Sequence, residues 1–317
     1  MPKKIDVVYT WVDHEHKEWQ KEKDQHSKKK SFANNTARFN SSLNELKYSL
    51  RSLDLYFSKY IHKIYLVTNH GSIPNFIDQN RTDLVIINAI ELLNGVSFCS
   101  CTIESVLHKI PKLTEDFLYF NDDMLLTAPL SLEDLFDNAG KPIWYQESDS
   151  ILRFISRNSY LVNPFNLDGH VSKARKNTFQ QLGLNKKMPP PIGHSPRIFN
   201  KTYIKKFILL YPEAIEQLRK ILFRSEDTFC FVDAYCYYFS HHNMLNFLKK
   251  KKTLILIQSD YFSRIINKIR IFLAFNFSFV CVADLRDKNI TPCPEVSKYL
   301  EKTYPNPSQW ESTSGKI

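Results

Sequence analysis

The sequence predicts an α/β fold with a largely parallel sheet and an elaborated second half. Apolar, β-branched segments alternate with amphipathic ones over about the first 120 residues, in the order strand, helix, strand, strand, helix, strand. The chain has 317 residues, 43% of them hydrophobic, so it can bury a full core. No internal repeat or linker is visible. We therefore expect one domain over residues 1–317, with a Rossmann-like half at 1–130 and a second half at 131–317.

Three strands are predicted in the first part of the chain. The first is "KIDVVYTWVD" (residues 4–13), which ends on Asp13. The next two are "HKIYLVTN" (residues 62–69) and "DLVIIN" (residues 83–88). Between the first two lies "HEHKEWQKEKDQHSKKKSFANNT", which is highly charged and almost without apolar residues. We expect this segment to form a mobile loop or an exposed helix over a site.

Two helices flank these strands. The segment "NELKYSLRSLDLYF" places four apolar side chains on one helical face: Leu46, Leu50, Leu53 and Phe57. The segment "CTIESVLHKIP" is predicted to be helical up to Pro111 and is followed by the strand "FLYF". The parallel sheet is therefore expected to be covered by helices.

The second half is less regular. The segment "YPEAIEQLRKIL" predicts a helix, and "KKMPPPIGHSPRIF" predicts a loop stiffened by prolines around His194. The longest apolar tract is "IFLAFNFSFVCVA" (residues 271–283). It is short of the roughly 18 to 20 residues that a membrane span needs. We expect a buried strand pair there.

The composition excludes several function classes. Neither GxGxxG nor GxxxxGK[ST] is present, so the usual dinucleotide and P-loop signatures are absent. The six cysteines form no CxxC pair, and with no signal peptide at the N-terminus they are expected to be reduced cytosolic thiols. The formal net charge of +10 attracts polyanions. The run Lys249–Lys252 is typical of a solvated face, or of a contact with an anionic membrane.

Two adjacent carboxylates follow a buried strand in "FLYFNDDMLL" (residues 117–126). An Asp–Asp pair in this position is often a solvated turn. However, α/β sheets bind ligands beyond the carboxyl ends of their strands, where Asp13 and Asn121 are also expected. Together with Glu104, the pair Asp122 and Asp123 suits a hard cation such as Mg²⁺ or Mn²⁺. Alternatively, one of these acids serves as a general base.

Three further polar residues are candidates for a site. His194 lies in the proline-stiffened loop, which would hold a catalytic group in place, although a lone histidine is more often a surface or packed residue. Arg224 in "FRSED" suits bidentate phosphate binding, and its alternative is an ion pair with Glu226 or Asp227. Arg175 in "KARKN" is a weaker candidate for the same role.

These motifs resemble the Stealth proteins, a family of sugar-1-phosphate transferases. "IDVVYTWVD" is similar to the family's first block, and "NELKYSLRSLDLYFSKYIHKIYLVTN" with "TIESVLHKIPKLTEDFLYFNDDMLL" to its second. The third block resembles "KARKNTFQQLGLNKKMPPPIGHSPR", and the fourth resembles "FRSEDTFCFVDAYCYYFS". The resemblance runs over roughly residues 5 to 240, with the blocks in order.

The resemblance implies an active site made of four residues. They are Glu104, Asp123, His194 and Arg224. Arg175 corresponds to a further phosphate-contacting arginine, and Asp13 would border the nucleotide. The chain departs from the family pattern before "ELKYSLRS", where it has Ser42-Leu43-Asn44, and at Cys99. These departures concern the specificity for the sugar or the acceptor more than the chemistry.

The resemblance also implies a reaction. A hexose- or N-acetylhexosamine-1-phosphate would move from a UDP-sugar to a hydroxyl of a glycan or lipid-linked glycan, with release of UMP, in capsule or cell-surface polysaccharide synthesis. The rival reaction is that of a conventional metal-dependent glycosyltransferase, which releases UDP. No nucleic acid is expected as a partner, since helix-turn-helix, zinc and RNA-binding signatures are missing. We expect a cytoplasmic protein, peripheral at the inner face of the cell membrane.

Overall fold

The computed structural model describes residues 4–27, 43–147, 167–183, 189–249, 253–258, 261–284 and 293–312. The strands are β1 (Ile5–Trp11), β2 (Ile61–Thr68), β3 (Leu84–Asn88), β4 (Asp116–Asn121), β5 (Met124–Leu126), β6 (Ile143–Tyr145), β7 (Arg197–Asn200), β8 (Asn246–Leu248), β9 (Thr253–Gln258) and β10 (Phe279–Asp284). The helices are α1 (Lys17–His26), α2 (Glu45–Phe57), α3 (Ala89–Leu93), α4 (Ser100–Glu104), α5 (Leu167–Gln181), α6 (Lys201–Leu210), α7 (Pro212–Arg219), α8 (Phe231–His241), α9 (Tyr261–Leu273) and α10 (Pro294–Thr303).

The main sheet has the strand order β3-β2-β1-β4-β7. Its first four strands are parallel, with Val8 of β1 opposite Tyr65 of β2 and Tyr119 of β4, and β7 runs antiparallel to β4 at the edge. The strands are apolar on both faces, as is typical of parallel strands covered by helices on both sides. The predicted α/β fold with a largely parallel sheet is confirmed.

Helices bury both faces of this sheet. The predicted apolar face of α2 is confirmed, because its four apolar side chains are all buried against β1, β2 and β4. The opposite face is covered by aromatic side chains of α6 and α8, such as Phe207 and Tyr235. The ring of Tyr235 meets Phe199 of β7 edge-on, with 4.9 Å between the ring centroids. Helices therefore pack on both faces of the sheet and fix the strands whose carboxyl ends form its upper edge.

A second sheet corrects one prediction. Its order is β5-β10-β9, with β5 antiparallel and β9 parallel to β10. The apolar tract at residues 271–283 is not a strand pair: it ends α9, forms the 3₁₀ turn Ala274–Asn276 and then enters β10. Its apolar residues up to Phe275 continue the helical spacing of α9. This spacing is not visible in a stretch of sequence that begins at residue 271, inside the helix.

Two helical predictions are confirmed with changed bounds. The charged segment after β1 forms α1, while residues 28–42 lie outside the described part of the chain. The helix predicted up to Pro111 is α4, which ends at Glu104 and is followed by a 3₁₀ turn at Leu107–Lys109. Within the described residues, no helix has both the length and the apolar character needed to cross a bilayer. All six cysteines are buried free thiols.

Candidate active site

A pocket of about 270 Å³ opens at the carboxyl edge of the main sheet. Its wall includes residues 10–12 at the end of β1, residues 67–70 at the end of β2 and residues 121–123 after β4. β1 lies between β2 and β4, so the chain order reverses on either side of it. Ligands of open α/β sheets bind at such a switch point. The sheet therefore brings the Asn-Asp-Asp turn to the place expected from the sequence.

The turn between β4 and β5 forms part of the pocket wall. Ser49 of α2 anchors it by donating a hydrogen bond to the Met124 carbonyl. Burial raises the pKa of Asp122 well above its ordinary range, and the neighbouring carboxylates of Asp123 and Glu45 raise it further. Adjacent acids in a half-buried wall favour a cation or a shared proton between them, which a solvated turn would not need.

Asp123 has one oxygen engaged and one without a partner. Its Oδ2 accepts a hydrogen bond from the Cys281 thiol of β10, with 3.1 Å between sulfur and oxygen. Its Oδ1 is buried without a hydrogen-bond partner among the described residues, and so is Oδ1 of Asn121. The backbone N–H of Val282 donates to the Asp123 carbonyl over 2.8 Å and fixes the residue against β10. Two unsatisfied oxygens of this kind suit a hard cation.

Arg224 supplies positive charge to the same pocket. It lies in the segment before α8 and lines the pocket wall. Its Nη2 donates to the Ser100 hydroxyl and contacts the Cys101 sulfur at 3.7 Å, while its Nε is buried without a partner in the described structure. The alternative ion pair of Arg224 with Glu226 or Asp227 is not formed in the described structure, where Glu226 pairs with Lys173 at 3.0 Å. The guanidinium thus keeps donors for a ligand.

His194 approaches Asp123 from the loop before β7. This loop is attached to β6 by the Gly193 N–H, which donates to the Tyr145 carbonyl over 2.9 Å. The His194 side chain keeps contact with solvent, yet the cleft around it withdraws enough water to lower the pKa of the imidazole. Asp123 opposes that shift and Arg197 adds to it. The imidazole is therefore neutral at neutral pH and able to accept a proton.

Comparison with known sequences relates this chain to a family. Residues 38–142 match the family model described as Stealth protein CR2, conserved region 2. Over 328 aligned positions and 97% of its length, the chain is 30% identical to the capsular polysaccharide phosphotransferase SacB of Neisseria meningitidis serogroup A. The chain belongs to the Stealth family. It is also 29% identical, over 71% of its length, to the capsular polysaccharide phosphotransferase fcs1 of Haemophilus influenzae.

This Stealth chain spans 57% of the length of SacB and 62% of that of fcs1. Among solved structures, it resembles the galactosyltransferase LgtC bound to donor and acceptor sugar analogues, with a TM-score of 0.48 and 8% identity over 96% of this chain and 97% of that one. With so low a sequence identity and TM-score, this similarity says nothing about the reaction.

The residues assigned by the Stealth resemblance lie at two depths. Side-chain donor atoms of Asp123 and His194 lie within 4.8 Å of each other and of Cys281, and neither Glu104 nor Asp122 belongs to that group. Glu104 lies deeper and accepts a hydrogen bond from the Tyr119 hydroxyl over 3.2 Å. Burial raises the pKa of Glu104, and the positive charges of Arg224 and Arg197 oppose the shift.

Two predicted binding residues lie outside the pocket wall. Asp13 exchanges hydrogen bonds with Asn69 through its backbone, at 2.7 and 3.0 Å, and thereby joins the ends of β1 and β2. Arg175 of α5 forms an ion pair with Asp233 of α8 at 2.7 Å. Its Nη2 is nevertheless buried without a hydrogen-bond partner within the described structure. Neither residue is among those that line the pocket.

The sequence did not point to several residues in and beside the pocket. Glu45, buried at the first position of α2, lines the pocket beside Asp122, and its only sequence signal was an acid at a helix start. Trp19 of α1 also lines the pocket and meets the edge of Phe98, with 5.6 Å between ring centroids. Helix α1 therefore covers the site, as expected of the charged segment. Cys281 gave no local signal.

Proposed function

We propose that this chain is the catalytic part of a sugar-1-phosphate transferase of capsule or cell-surface polysaccharide synthesis. The substrate would be a UDP-sugar, and a hexose- or N-acetylhexosamine-1-phosphate would pass to a hydroxyl of an acceptor glycan with release of UMP. One observation carries the proposal: the acids Asp122 and Asp123 and the guanidinium of Arg224 line one pocket at the switch point of the sheet. The similarity to SacB and fcs1, both named capsular polysaccharide phosphotransferases, supports it.

Residues 1–130 would bind the donor, and residues 131–317 would complete the site. Most of the pocket wall comes from the first part, whereas Arg224 and Val282 come from the second. The aromatic end formed by Trp19 and Phe98 suits a flat nucleobase. Arg224 would clamp the diphosphate through its free donors. Arg175 and Asp13 would then act around the pocket, for example on the part of the substrate that extends from it.

The chemistry would be a displacement at phosphorus. The acceptor hydroxyl oxygen would attack the phosphorus atom that bears the sugar, and the bond from this phosphorus to the bridging oxygen would break. UMP leaves with the bridging oxygen, and the acceptor proton passes to a base. His194 is our candidate for the base, because its pKa is lowered and its ring is neutral. A carboxylate, Glu104 or Asp123, is the alternative.

Mg²⁺ or Mn²⁺ would be held by oxygens of the Asn-Asp-Asp turn. The unpartnered Oδ1 atoms of Asp123 and Asn121 fit such a cation, and Asp122 supplies a further carboxylate. When bound, it would neutralise negative charge on the diphosphate. The carboxylate of Glu104 already accepts a hydrogen bond from Tyr119. Glu104 is therefore a poorer candidate for a metal ligand than the residues of the turn.

The nucleotide that is released tests the proposal. The purified protein is incubated with Mg²⁺, a panel of UDP-sugars and a cell-surface glycan extract, and the released nucleotide is identified by chromatography. UMP is expected, because the phosphate next to the sugar travels with it. Release of UDP instead would identify a conventional glycosyltransferase that cleaves the bond between sugar and oxygen.

The acceptor would be a glycan or a lipid-linked glycan at the inner face of the cell membrane. Such an acceptor would call for a cytoplasmic enzyme that is peripheral to the bilayer. The net charge of +10 supports attraction to an anionic surface. The same charge also suits phosphorylated substrates, which is the simplest reason for it in a transferase of this kind.

A further inference from the structure

Three side chains from separate segments converge beside the pocket. Asp123 follows β4, His194 precedes β7 and Cys281 belongs to β10. One donor atom from each lies within 4.8 Å of the other two. The sulfur and the Asp123 oxygen are already 3.1 Å apart. Three chemically different donors thus share one small volume.

This donor set does not match the oxygen-only ligands that Mg²⁺ prefers. A thiolate and an imidazole select borderline-soft cations, and Zn²⁺ combines sulfur, nitrogen and carboxylate ligands in proteins. Zinc sites of catalytic type have three protein ligands and leave one position to water. The solvent contact of His194 gives this cluster the same opening.

We propose that Asp123, His194 and Cys281 bind Zn²⁺, and that this binding inhibits the transferase. The second part of the proposal rests on the proposed function, because zinc would occupy the two side chains assigned to metal binding and proton transfer. Binding would replace the thiol proton: Cys281–SH and Zn²⁺ give a Cys281 thiolate–zinc bond and one proton released to solvent. Nothing is oxidised or reduced.

The Cys281 sulfur and the Asp123 carboxylate oxygen need little rearrangement to share a zinc ion. A tetrahedral zinc ion with a bond of about 2.3 Å to sulfur and about 2.0 Å to oxygen places these two ligand atoms about 3.5 Å apart. The observed 3.1 Å between Cys281 and Asp123 is within a few tenths of an ångström of that value. The backbone bond from Val282 to Asp123 keeps β10 and the turn together while the side chains adjust.

Co²⁺ reports the site without any assay of activity. We expect Co²⁺ bound to the intact chain to give a thiolate-to-metal charge-transfer band, and Zn²⁺ to abolish that band in a one-to-one titration. Cys281→Ser should remove the band and weaken Zn²⁺ binding at least about 100-fold. The matched control is Cys293→Ser, because Cys293 is also buried but packs against α9 and α10. The Co²⁺ band of the Cys293→Ser variant should be the same as that of the unmodified chain.

Two outcomes would overturn the zinc site. One is a Co²⁺ band that persists in Cys281→Ser. The other is a band that disappears in Cys101→Ser, since Cys101 lies in a different group of thiols, with Cys99 and Cys230. Inhibition is measured separately, as turnover with excess Mg²⁺ and rising Zn²⁺. If the chain binds Zn²⁺ through Cys281 but shows no transfer, only the proposed function is refuted. If it transfers the sugar phosphate and Cys281→Ser is as sensitive to Zn²⁺ as the unmodified chain, only the inhibitory site is refuted.

Discussion

Arg51 and Glu311, which are 260 positions apart, form a two-pronged ion pair in which Nε–Oε1 and Nη2–Oε2 are both 2.7 Å. Arg51 also donates to the Tyr304 carbonyl, and the Tyr304 hydroxyl donates to the Leu126 carbonyl of β5 over 2.7 Å. β5 directly follows the acidic turn of the pocket. The segment that contains Tyr304 and Glu311 is therefore joined to β5 and to the turn that carries Asp122 and Asp123. The ion pair thus stabilises the wall of the pocket without lining it.

Breaking this pair should destabilise the protein. Both side chains are largely buried, so Arg51→Ala leaves the Glu311 carboxylate without its main partner. We expect a loss of about 3 kcal/mol in the free energy of unfolding, measured by urea denaturation. The control is Lys220→Ala, which removes an exposed i,i+4 pair with Glu216 and should change stability by less than about 0.5 kcal/mol. Equal effects for the two variants would show that Glu311 finds water or another cation.

Asp123 should be indispensable for transfer but not for folding. Asp123→Asn keeps an oxygen that can accept from Cys281, so the turn should remain intact. The lost charge should reduce kcat by about 10³-fold or more. Turnover is measured as UMP release and folding by thermal denaturation, with Glu213→Gln on the exposed side of α7 as the control. Near-normal turnover in Asp123→Asn would remove this residue from the mechanism.

Trp19 should contribute to donor binding. The indole covers the aromatic end of the pocket next to Phe98. Trp19→Ala should weaken the affinity for the UDP-sugar about tenfold, or ~1.4 kcal/mol, in isothermal titration calorimetry. Trp19→Phe should restore much of it, and Lys17→Ala on the exposed side of α1 should have no effect. If Trp19→Ala binds the donor normally, the nucleobase of the donor lies elsewhere, and α1 covers the pocket without contacting the substrate.

His108 should make the fold sensitive to acid. Burial lowers the pKa of His108 to about 4, and the positive charges of Lys109, Arg219 and Lys205 contribute. Because the unfolded chain has a histidine pKa of about 6.5, it binds more protons between pH 6.5 and pH 4. The stabilisation is thus present above pH 6.5 and is lost on acidification, by about 2–3 kcal/mol at pH 4.

A pH series of urea denaturation experiments checks this sign. His108→Gln should remove most of that loss between pH 6.5 and pH 4. His26→Gln, which changes an exposed histidine of α1, should retain it. If His108→Gln shows the same pH dependence as the unmodified chain, other groups cause the acid sensitivity.

The fold could be predicted because its signals are local. Alternating apolar segments and the face of α2 depend on residues within one or two turns of each other, and these predictions were confirmed. The contact between Cys281 and Asp123 joins positions 158 apart, so no periodicity announces it. Glu45 is similar: an acid at a helix start is favoured by the helix dipole alone, and only the packing of α2 against β5 brings it to the pocket.

Helix α9 should bind anionic bilayers. Ile265, Ile269 and Phe272 of α9 and Phe275 of the following 3₁₀ turn form one exposed apolar stripe, and the two phenylalanines are each 72% exposed. Arg264 and Lys268 share a single acid, Glu295, at 2.9 and 3.6 Å, so the rim of the stripe carries net positive charge. An apolar stripe with a basic rim fits a surface of anionic lipid headgroups. We expect the chain to float with vesicles containing phosphatidylglycerol and not with purely zwitterionic ones.

The double variant Phe272→Glu/Phe275→Glu tests this stripe. It should reduce vesicle binding at least about tenfold, because it replaces the insertable side chains with charges that the anionic surface repels. The control Leu209→Glu/Leu210→Glu changes two exposed leucines of α6 and should leave vesicle binding unchanged. Because both pairs add the same charge, a loss in both would mean that net charge alone drives adsorption. Binding retained by the α9 variant, or self-association through the stripe in light scattering, would assign this face to a protein partner.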